Sequence, residues 1–405
     1  MQPSPTRAAA LLLNVGHGLD HLALLIFASS VGAIAMDFGI GRWEDVMPLA
    51  AGAFCLFGLG ALPAGRLGDL WGRRAMMLVY FFGLAGSLLL VAVTRSPWQL
   101  AIALTVMGAF ASIYHPVGIP MLVQGARRPG ALIGINGLAG NLGIAVAAVL
   151  TGFLIKYLGW RFAFIVPGVI AGLCGLLFAF RVPEEETRPA KRQASQQELP
   201  PGLAARVLVV VTLTASSSSL IFNFTTNGNG ELLTERLRGL VTDPASLGIL
   251  LAIVYAFASL MQVVVGRLID RISVRLLYLT IVGLQVPLFF LASMATGWTF
   301  YLVLLLAMAL VFGGIPFTDA LIVRYVDDRV RSRVSGARFA VSFTISSVAV
   351  YLLGPLVKAH GFTNLLALLS LVAAGTASFV LMLPNRIPSS DAAPLPPSTD
   401  PFRTG

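Results

Sequence analysis

The ten residues GRLGDLWGRR, Gly65 to Arg74, return 201 positions later as GRLIDRISVR, Gly266 to Arg275. Each copy follows a long apolar segment, and the offset is half the length of the 405-residue chain. A repeat at half the chain length indicates two homologous halves in the same orientation.

The composition around both copies is that of a membrane protein. Hydrophobic residues make up 57% of the chain and charged residues 11%, and the mean hydropathy is +0.85, far more apolar than a soluble domain. A helix needs roughly 20 apolar residues to cross the hydrocarbon core. Twelve segments meet this condition, at about 9–36, 46–64, 75–94, 97–121, 131–156, 160–181, 206–229, 245–265, 276–296, 298–322, 335–357 and 361–383. We therefore predict an all-α membrane protein with twelve transmembrane helices, here called spans one to twelve.

The predicted domains follow from the polar stretches between these spans. Residues 1–181 form an N-terminal six-helix bundle and 206–384 a C-terminal one, joined by the charged, proline-rich linker 182–205 and followed by a disordered tail at 385–405. Span one is too long and too rich in ionisable residues for a secretory signal, so we expect it to be retained.

The basic residues predict the orientation of the chain. The net charge is +10, but the arginines and lysines lie in short loops beside the spans, where they set topology, so nucleic acid is not an expected partner. The side that carries both termini has 21 of them and the other side 7. Both termini and the linker are therefore expected in the cytoplasm, with the spans in a prokaryotic inner membrane.

The first copy of the repeat resembles the loop motif of the major facilitator superfamily: a glycine, an aspartate four residues on, then a glycine and two basic residues. The long linker and GWRFAF, residues 159–164, extend the resemblance to all twelve spans. YHPVG, residues 114–118, and GNLG, residues 140–143, are similar to the fosmidomycin-resistance-type branch and its uncharacterised bacterial relatives. The resemblance implies a monomeric secondary transporter whose two bundles rock about a cavity lined by spans one, four, seven and ten.

The repeated motif suggests a conformational latch. Asp69 and Asp270 follow spans two and eight, where a carboxylate can cap a neighbouring helix or pair with arginine. Such a contact can form in one conformation and break in another. For Arg73 and Arg74, setting the topology is an equally good explanation. The predicted latch residues are Gly65, Asp69, Arg73, Arg74, Asp270 and Arg271.

Span one carries a polar stripe in NVGHGLDHLALL, residues 14–25. Asn14, His17, Asp20 and His21 fall within an arc of about 120°, and Asp20 lies about 16 Å from the start of the span. Three interpretations compete: a metal site, for which no further ligand cluster is evident, a buried network that only packs helices, and proton coupling. Proton coupling is favoured, because three titratable groups are costly at this depth.

Span four contributes YHPVGIP, residues 114–120. Pro116 and Pro120 should bend the helix and free backbone carbonyls. His115 lies beside the bend and either satisfies such a carbonyl or handles substrate or protons, whereas Tyr114 suits packing. The predicted proton-coupling residues are Asp20, His17, His21 and His115.

Span seven carries a polar stripe that includes Asn223 and Asn227 and ends in NGNGE, residues 227–231. This sequence is too rich in glycine to continue a stable helix, which predicts a broken helix that acts as a gate, with Glu231 attracting cations or protons. In spans ten and eleven, Asp319 and Arg338 lie at similar depth and should form an ion pair. The predicted substrate-cavity residues are Asn14, Tyr114, Asn223, Asn227, Asp319 and Arg338.

No sequence motif of a soluble enzyme is present: there is neither a phosphate-binding loop nor a serine nucleophile elbow, so we expect no enzyme activity and no cofactor. Apart from Arg338, no basic residue lies well inside a span, which argues against small, strong anions as substrates. A neutral, amphiphilic or weakly charged organic molecule fits better, with export first and uptake by proton symport second. The alternatives are a transporter-like receptor or scaffold and a membrane metalloenzyme.

Overall fold

The computed structural model describes residues 6–124, 129–184, 201–269, 271–318 and 328–383, without the side chains of 129–131, 201–208 and 328–340. Several predicted features lie outside this description: the linker from 185 to 200, the tail from 384, Asp270, Asp319 and the side chain of Arg338.

The regular elements of the described residues are all helices. The N-terminal half contains Arg7–Asp37, Trp43–Leu59 with Ala61–Trp71, Arg73–Ala92, Pro97–Val123, Pro129–Tyr157 and Trp160–Arg181. The C-terminal half contains Pro201–Arg236, Pro244–Ile269, Val274–Met294, Gly297–Thr318 and Asp328–Leu381.

The predicted all-helical fold is confirmed. Ten described helices are long and apolar enough to cross a membrane, and the pair Trp43–Leu59 and Ala61–Trp71, bent by 43°, supplies span two. The helix Asp328–Leu381 turns at Gly361, where φ is 74°, and therefore accounts for both spans eleven and twelve. We call the end of the bundle where span one begins, at Arg7, the terminal face, and the end near Asp37 the distal face.

The prediction that GRLGDLWGRR forms a loop is wrong for most of its length. The helix Ala61–Trp71 continues through Asp69, and the chain leaves it only at Gly72, where φ is 99°. The helix persists because it packs closely on span four: a Cβ at Gly68 would lie 3.0 Å from Val117 and one at Gly65 3.3 Å from Pro116. The small residues of the motif thus serve helix contact.

The predicted break at NGNGE is also wrong, because one helix runs from Pro201 to Arg236. A Cβ at Gly228 would lie 3.3 Å from Leu353 of span eleven, and Asn227 Nδ2 donates to the backbone oxygen of Asn223, one turn earlier. Packing between helices outweighs the low helix propensity of glycine, about 1 kcal/mol per residue. Glu231 therefore lies on a continuous helix.

The two halves meet through close backbone contacts. Spans five and eight approach at Gly152 and Gly248, whose Cα atoms leave no room for side chains, and Gly354 of span eleven packs against the backbone of Glu44 beside span two. Both contacts lie toward the distal face.

The repeat is visible in one recurring contact. Arg74 donates from Nη2 to Ala179 O at the end of span six, at 2.8 Å, and Arg275, 201 positions later, donates to Leu381 O at the end of span twelve, also at 2.8 Å. Each arginine satisfies carbonyls that a helix end leaves free.

Candidate functional site

A cluster of one carboxyl group and three imidazoles lies inside the N-terminal half. Asp20 is fully buried, and His115 Nε2 lies 3.6 Å from Asp20 Oδ2. This distance allows ion pairing but exceeds hydrogen-bond range, and neither Asp20 oxygen has a hydrogen-bond partner among the described residues. The rings of His17 and His115 are 5.0 Å apart and those of His21 and His115 5.7 Å. The four residues predicted for proton coupling therefore lie together.

The bend in span four brings His115 into this cluster. Residues Tyr114–Gly118 form a wide π-type turn between the helices Pro97–Ala111 and Ile119–Val123. Pro116 lacks the amide hydrogen that a regular helix would use, which is a recognised cause of such a turn. The His115 side chain keeps 21% of its surface exposed and contacts Phe57 of span two. Phe57 in turn contacts Phe343 of span eleven, so the cluster adjoins the other half.

Asn136 of span five organises the cluster and was missed by the sequence analysis. Its Nδ2 donates to Asn14 Oδ1 at 2.9 Å and to the hydroxyl of Tyr114 at 2.8 Å, and its backbone oxygen lies 2.7 Å from His17 Nδ1. Tyr114 also stacks on His17, with ring centroids 4.8 Å apart. The signal that could have found Asn136 is its polarity inside an apolar span, the criterion that identified Asn14.

The hydrogen bonds fix where protons reside on two of the imidazoles. A carbonyl only accepts, so His17 Nδ1 must donate to Asn136 O. Neutral His17 then has a bare Nε2, which accepts from His21 Nε2 at 3.1 Å. A second proton on His17 would occupy the nitrogen that accepts this bond. An additional proton is accommodated without loss of the described hydrogen bonds on His21 Nδ1, on His115 or on Asp20.

Small residues in span five make room for this arrangement. A Cβ at Gly140 would lie 2.7 Å from the ring of His17, and one at Gly143 would lie 2.1 Å from the backbone oxygen of Gly18. The string GNLG, residues 140–143, thus packs span five against the stripe of span one. Between these glycines, Asn141 donates to Gln262 of span eight, a polar contact between the halves.

The predicted residues of span seven form a separate group in the C-terminal half. Asn223 Nδ2 donates to Ser346 Oγ of span eleven at 2.7 Å, and Ser219 Oγ donates to Ser342 O at 3.0 Å. Asn227 is buried, and its Oδ1 lacks a hydrogen-bond partner among the described residues. Asn223 and Asn227 therefore do not join Asn14 and Tyr114. This second group is uncharged.

The predicted latch residues divide by location. Arg73 binds the end of span four, donating to Gln124 Oε1 at 2.9 Å and to Pro120 O at 3.3 Å, while Arg74 binds the end of span six. Asp69 and Arg271 are exposed. The described contacts of both arginines thus stay within the N-terminal half, and the latch remains a prediction.

Among the described residues, His17, His21 and His115 are the group that could hold a metal ion, since one ligand atom from each lies within 4.8 Å of the others. His115 is a further potential metal ligand close to His17 and His21, which the sequence did not make evident. In this geometry, however, His17 uses both ring nitrogens in hydrogen bonds, one to Asn136 and one to His21. A metal ion bound to His17 would have to displace one of these hydrogen bonds.

Comparisons with known proteins agree with this architecture. The family model described as Major Facilitator Superfamily matches residues 13–239. The chain is 22% identical over 306 residues to the multidrug resistance protein MdtG of Proteus mirabilis, covering 74% of this chain and 75% of that protein. It is 26% identical over 196 residues to a probable actinorhodin transporter of Streptomyces coelicolor, covering 46% of this chain but only 34% of that protein.

A solved structure gives the same fold over nearly the whole chain. The crystal structure of a D-xylose-proton symporter superposes with a TM-score of 0.77 at 15% identity, covering 93% of this chain and 98% of the other. At this identity the likeness concerns the fold alone.

Proposed function

The chain belongs to the Major Facilitator Superfamily, and we propose that this secondary transporter carries a small organic molecule across the bacterial inner membrane in exchange for protons. Alternating access of the two bundles exposes a central cavity to each side in turn. The charge distribution of the loops supports a cytoplasmic location of both termini.

The observation that carries proton coupling is the state of Asp20. It is fully buried, its oxygens lack hydrogen-bond partners among the described residues, and an imidazole lies 3.6 Å away. A carboxylate in such surroundings is costly unless it is protonated or paired with a cation. Asp20 and His115 can therefore exchange one proton over a short distance, while the partly exposed His115 connects the pair to the space between the halves.

The chemistry of the described interior favours an organic substrate without strong charge. The group around Asn223 offers hydroxyls and amides, and aromatic rings such as Phe57 line the boundary between the halves. Export is favoured by the resemblance of YHPVG and GNLG to the fosmidomycin-resistance-type branch, and the name of the MdtG relative is consistent with that direction. Uptake by symport would move substrate and protons in the same direction.

The test uses proteoliposomes that contain a trapped pH-sensitive dye. Compounds that raise the melting temperature of the purified protein are added as substrates, and internal pH is recorded. For the wild type we expect substrate-driven proton movement opposite in direction to the substrate. Asp20→Asn should abolish the proton signal yet retain exchange of labelled for unlabelled substrate, because exchange needs no net proton release.

Asp37→Asn is the matched control, since Asp37 lies on the same helix, is exposed and pairs with Arg161. It should behave as wild type. Full proton movement in Asp20→Asn would show that another group carries the proton. Movement of protons and substrate in the same direction would show proton symport in place of the proposed exchange. Stoichiometric metal in the purified protein, whose removal stops transport, would favour the metal interpretation.

A further inference from the structure

A cavity of about 370 Å³ opens at the distal face between the two halves. Its walls come from spans one and five on one side and spans seven and eight on the other, and Thr234 and Thr242 at its mouth are exposed. Pockets for organic ligands have volumes of about 300–1,000 Å³. The lining residue of span one that lies nearest to Asp20 is Ala28, eight residues on, about 12 Å along the helix axis. The cavity is therefore separate from the His–Asp cluster.

Glu231 supplies the charge of this cavity. Among its described lining residues, Glu231 is the one with an ionisable side chain. Its Oε1 lies so close to Gly32 that a Cβ there would be 2.7 Å away. The absence of a side chain at Gly32 thus lets a carboxyl group of the C-terminal half lie against span one of the N-terminal half.

The neighbouring basic groups are engaged elsewhere. Arg42 pairs with Glu44 at 2.8 Å, Lys156 with Asp243 at 2.8 Å, and Arg236 lies 3.6 Å from Glu235. Among the described residues, no basic side chain forms an ion pair with Glu231. Glu44 is buried close by, but Arg42 offsets its charge. A carboxylate between apolar walls without a cationic partner favours the arrival of a cation.

The remaining lining suits a cation with an apolar body. Ser29, Thr234 and Thr242 offer hydroxyl oxygens, Trp43 offers an aromatic ring of the kind that attracts cations, and most other lining residues are aliphatic or glycine. We propose that the distal cavity is a second binding site, which holds a monovalent organic cation through Glu231. This inference does not depend on proton coupling.

The test is equilibrium binding of radiolabelled tetraphenylphosphonium to the full chain in lipid nanodiscs. Wild type should bind the cation saturably. Glu231→Gln should weaken binding at least about ten-fold, equivalent to about 1.4 kcal/mol, whereas Glu231→Asp should stay within a few-fold of wild type. Glu235→Gln is the matched control, because Glu235 lies four residues on in the same helix, is exposed and is not among the lining residues.

One further variant locates the site. Thr234→Trp places a large ring at the mouth without changing charge and should also weaken binding. The proposal is overturned if wild type shows no saturable binding, if Glu231→Gln binds as wild type does, or if Glu235→Gln causes the larger loss.

Discussion

The ion pair between Lys358 and Asp45 should stabilise closure of the distal face. Lys358 lies at the distal end of span eleven and Asp45 at the start of span two, so the pair joins the two halves. A second pair, Lys156 with Asp243, does the same between spans five and eight. Opening the distal face must separate both pairs. We therefore expect Lys358→Met to increase the population of molecules open at this face.

The size of the expected change follows from how exposed the two paired side chains are. The side chains of Lys358 and Asp45 are 42% and 40% exposed, and ion pairs of this kind contribute about 0.2–1 kcal/mol. Losing one such pair should raise the ratio of open to closed molecules about 1.4- to 5-fold. Adding Lys156→Met should raise it further. The glycine contacts at Gly152, Gly248 and Gly354 remain, so the closed state should persist as a population.

The assay is pulsed electron paramagnetic resonance between spin labels on the two halves. Arg95→Cys and Thr296→Cys place labels on exposed distal loops at repeat-related positions, in a chain whose Cys55 and Cys174 have been replaced. The longer-distance fraction should grow in Lys358→Met. Exchanging the charges, with Lys358→Asp and Asp45→Lys together, should restore the wild-type distribution.

Arg161→Met provides the control, because Arg161 pairs with Asp37 at the same face with similar exposure but within the N-terminal half. It should not change the distance between the halves. The two ion pairs do not stabilise the closed face if Lys358→Met and Lys156→Met together leave the distribution unchanged, or if Arg161→Met changes it equally.

The second pair also has a defined pH dependence. The hydrogen bond from Lys156, and then those from Ser246, lower the pKa of Asp243 below its usual value. A lowered carboxyl pKa gives stabilisation that is present above the unfolded value, about 3.9, and lost only as the pH falls through the lower folded value. The difference between wild type and Lys156→Met in the ratio of open to closed molecules should therefore be constant from about pH 5 to about pH 8. A difference that disappears within this range would contradict the assignment of this effect to the Lys156–Asp243 ion pair.

Two further predictions concern packing in the N-terminal half, both measured by thermal unfolding. Gly143→Ala would place a Cβ 2.1 Å from the backbone oxygen of Gly18 and should destabilise the protein by about 1–3 kcal/mol. Gly137→Ala has open space around it and should be neutral or stabilising. Equal effects of the two substitutions would contradict the close packing at Gly143. Asn136→Ala removes two interhelical hydrogen bonds, each worth about 0.6 kcal/mol. It should lower the free energy of unfolding by about 1 kcal/mol and slow proton movement. Unchanged unfolding and transport would exclude an organising role for Asn136.

The span pattern could be predicted because the thickness of the bilayer imposes a local requirement on apolar length. The helix ends could not be predicted equally well. Gly68 and Gly228 weaken a helix when considered alone, but each faces a neighbouring helix at close range, so packing extends the helix through them. Local propensity does not contain that information.

The sequence predicted which residues of spans one and four belong to the candidate site, but it did not predict the contacts between the helices. The 3.6-residue period places Asp20, His17 and His21 on one face. The contact with His115 depends on the wide turn at Pro116, and the role of Asn136 depends on how spans one and five pack. Both are set by tertiary structure.

The two halves share a fold but differ in charge at equivalent positions. His17 and Asp20 correspond to Ser218 and Ile221 in the repeat. Ser218 lies 3.3 Å from the hydroxyl of Tyr278 in span nine, whereas His17 stacks on Tyr114 in span four, and Ile221 is buried. The C-terminal half therefore lacks titratable groups at these two positions. In the proposed mechanism, a proton taken up by Asp20 changes the charge of the N-terminal half alone. Its effect on rocking would then pass through contacts between the halves, such as those made by Phe57 and Asn141. Substitutions at these contacts should alter coupling without changing proton binding itself.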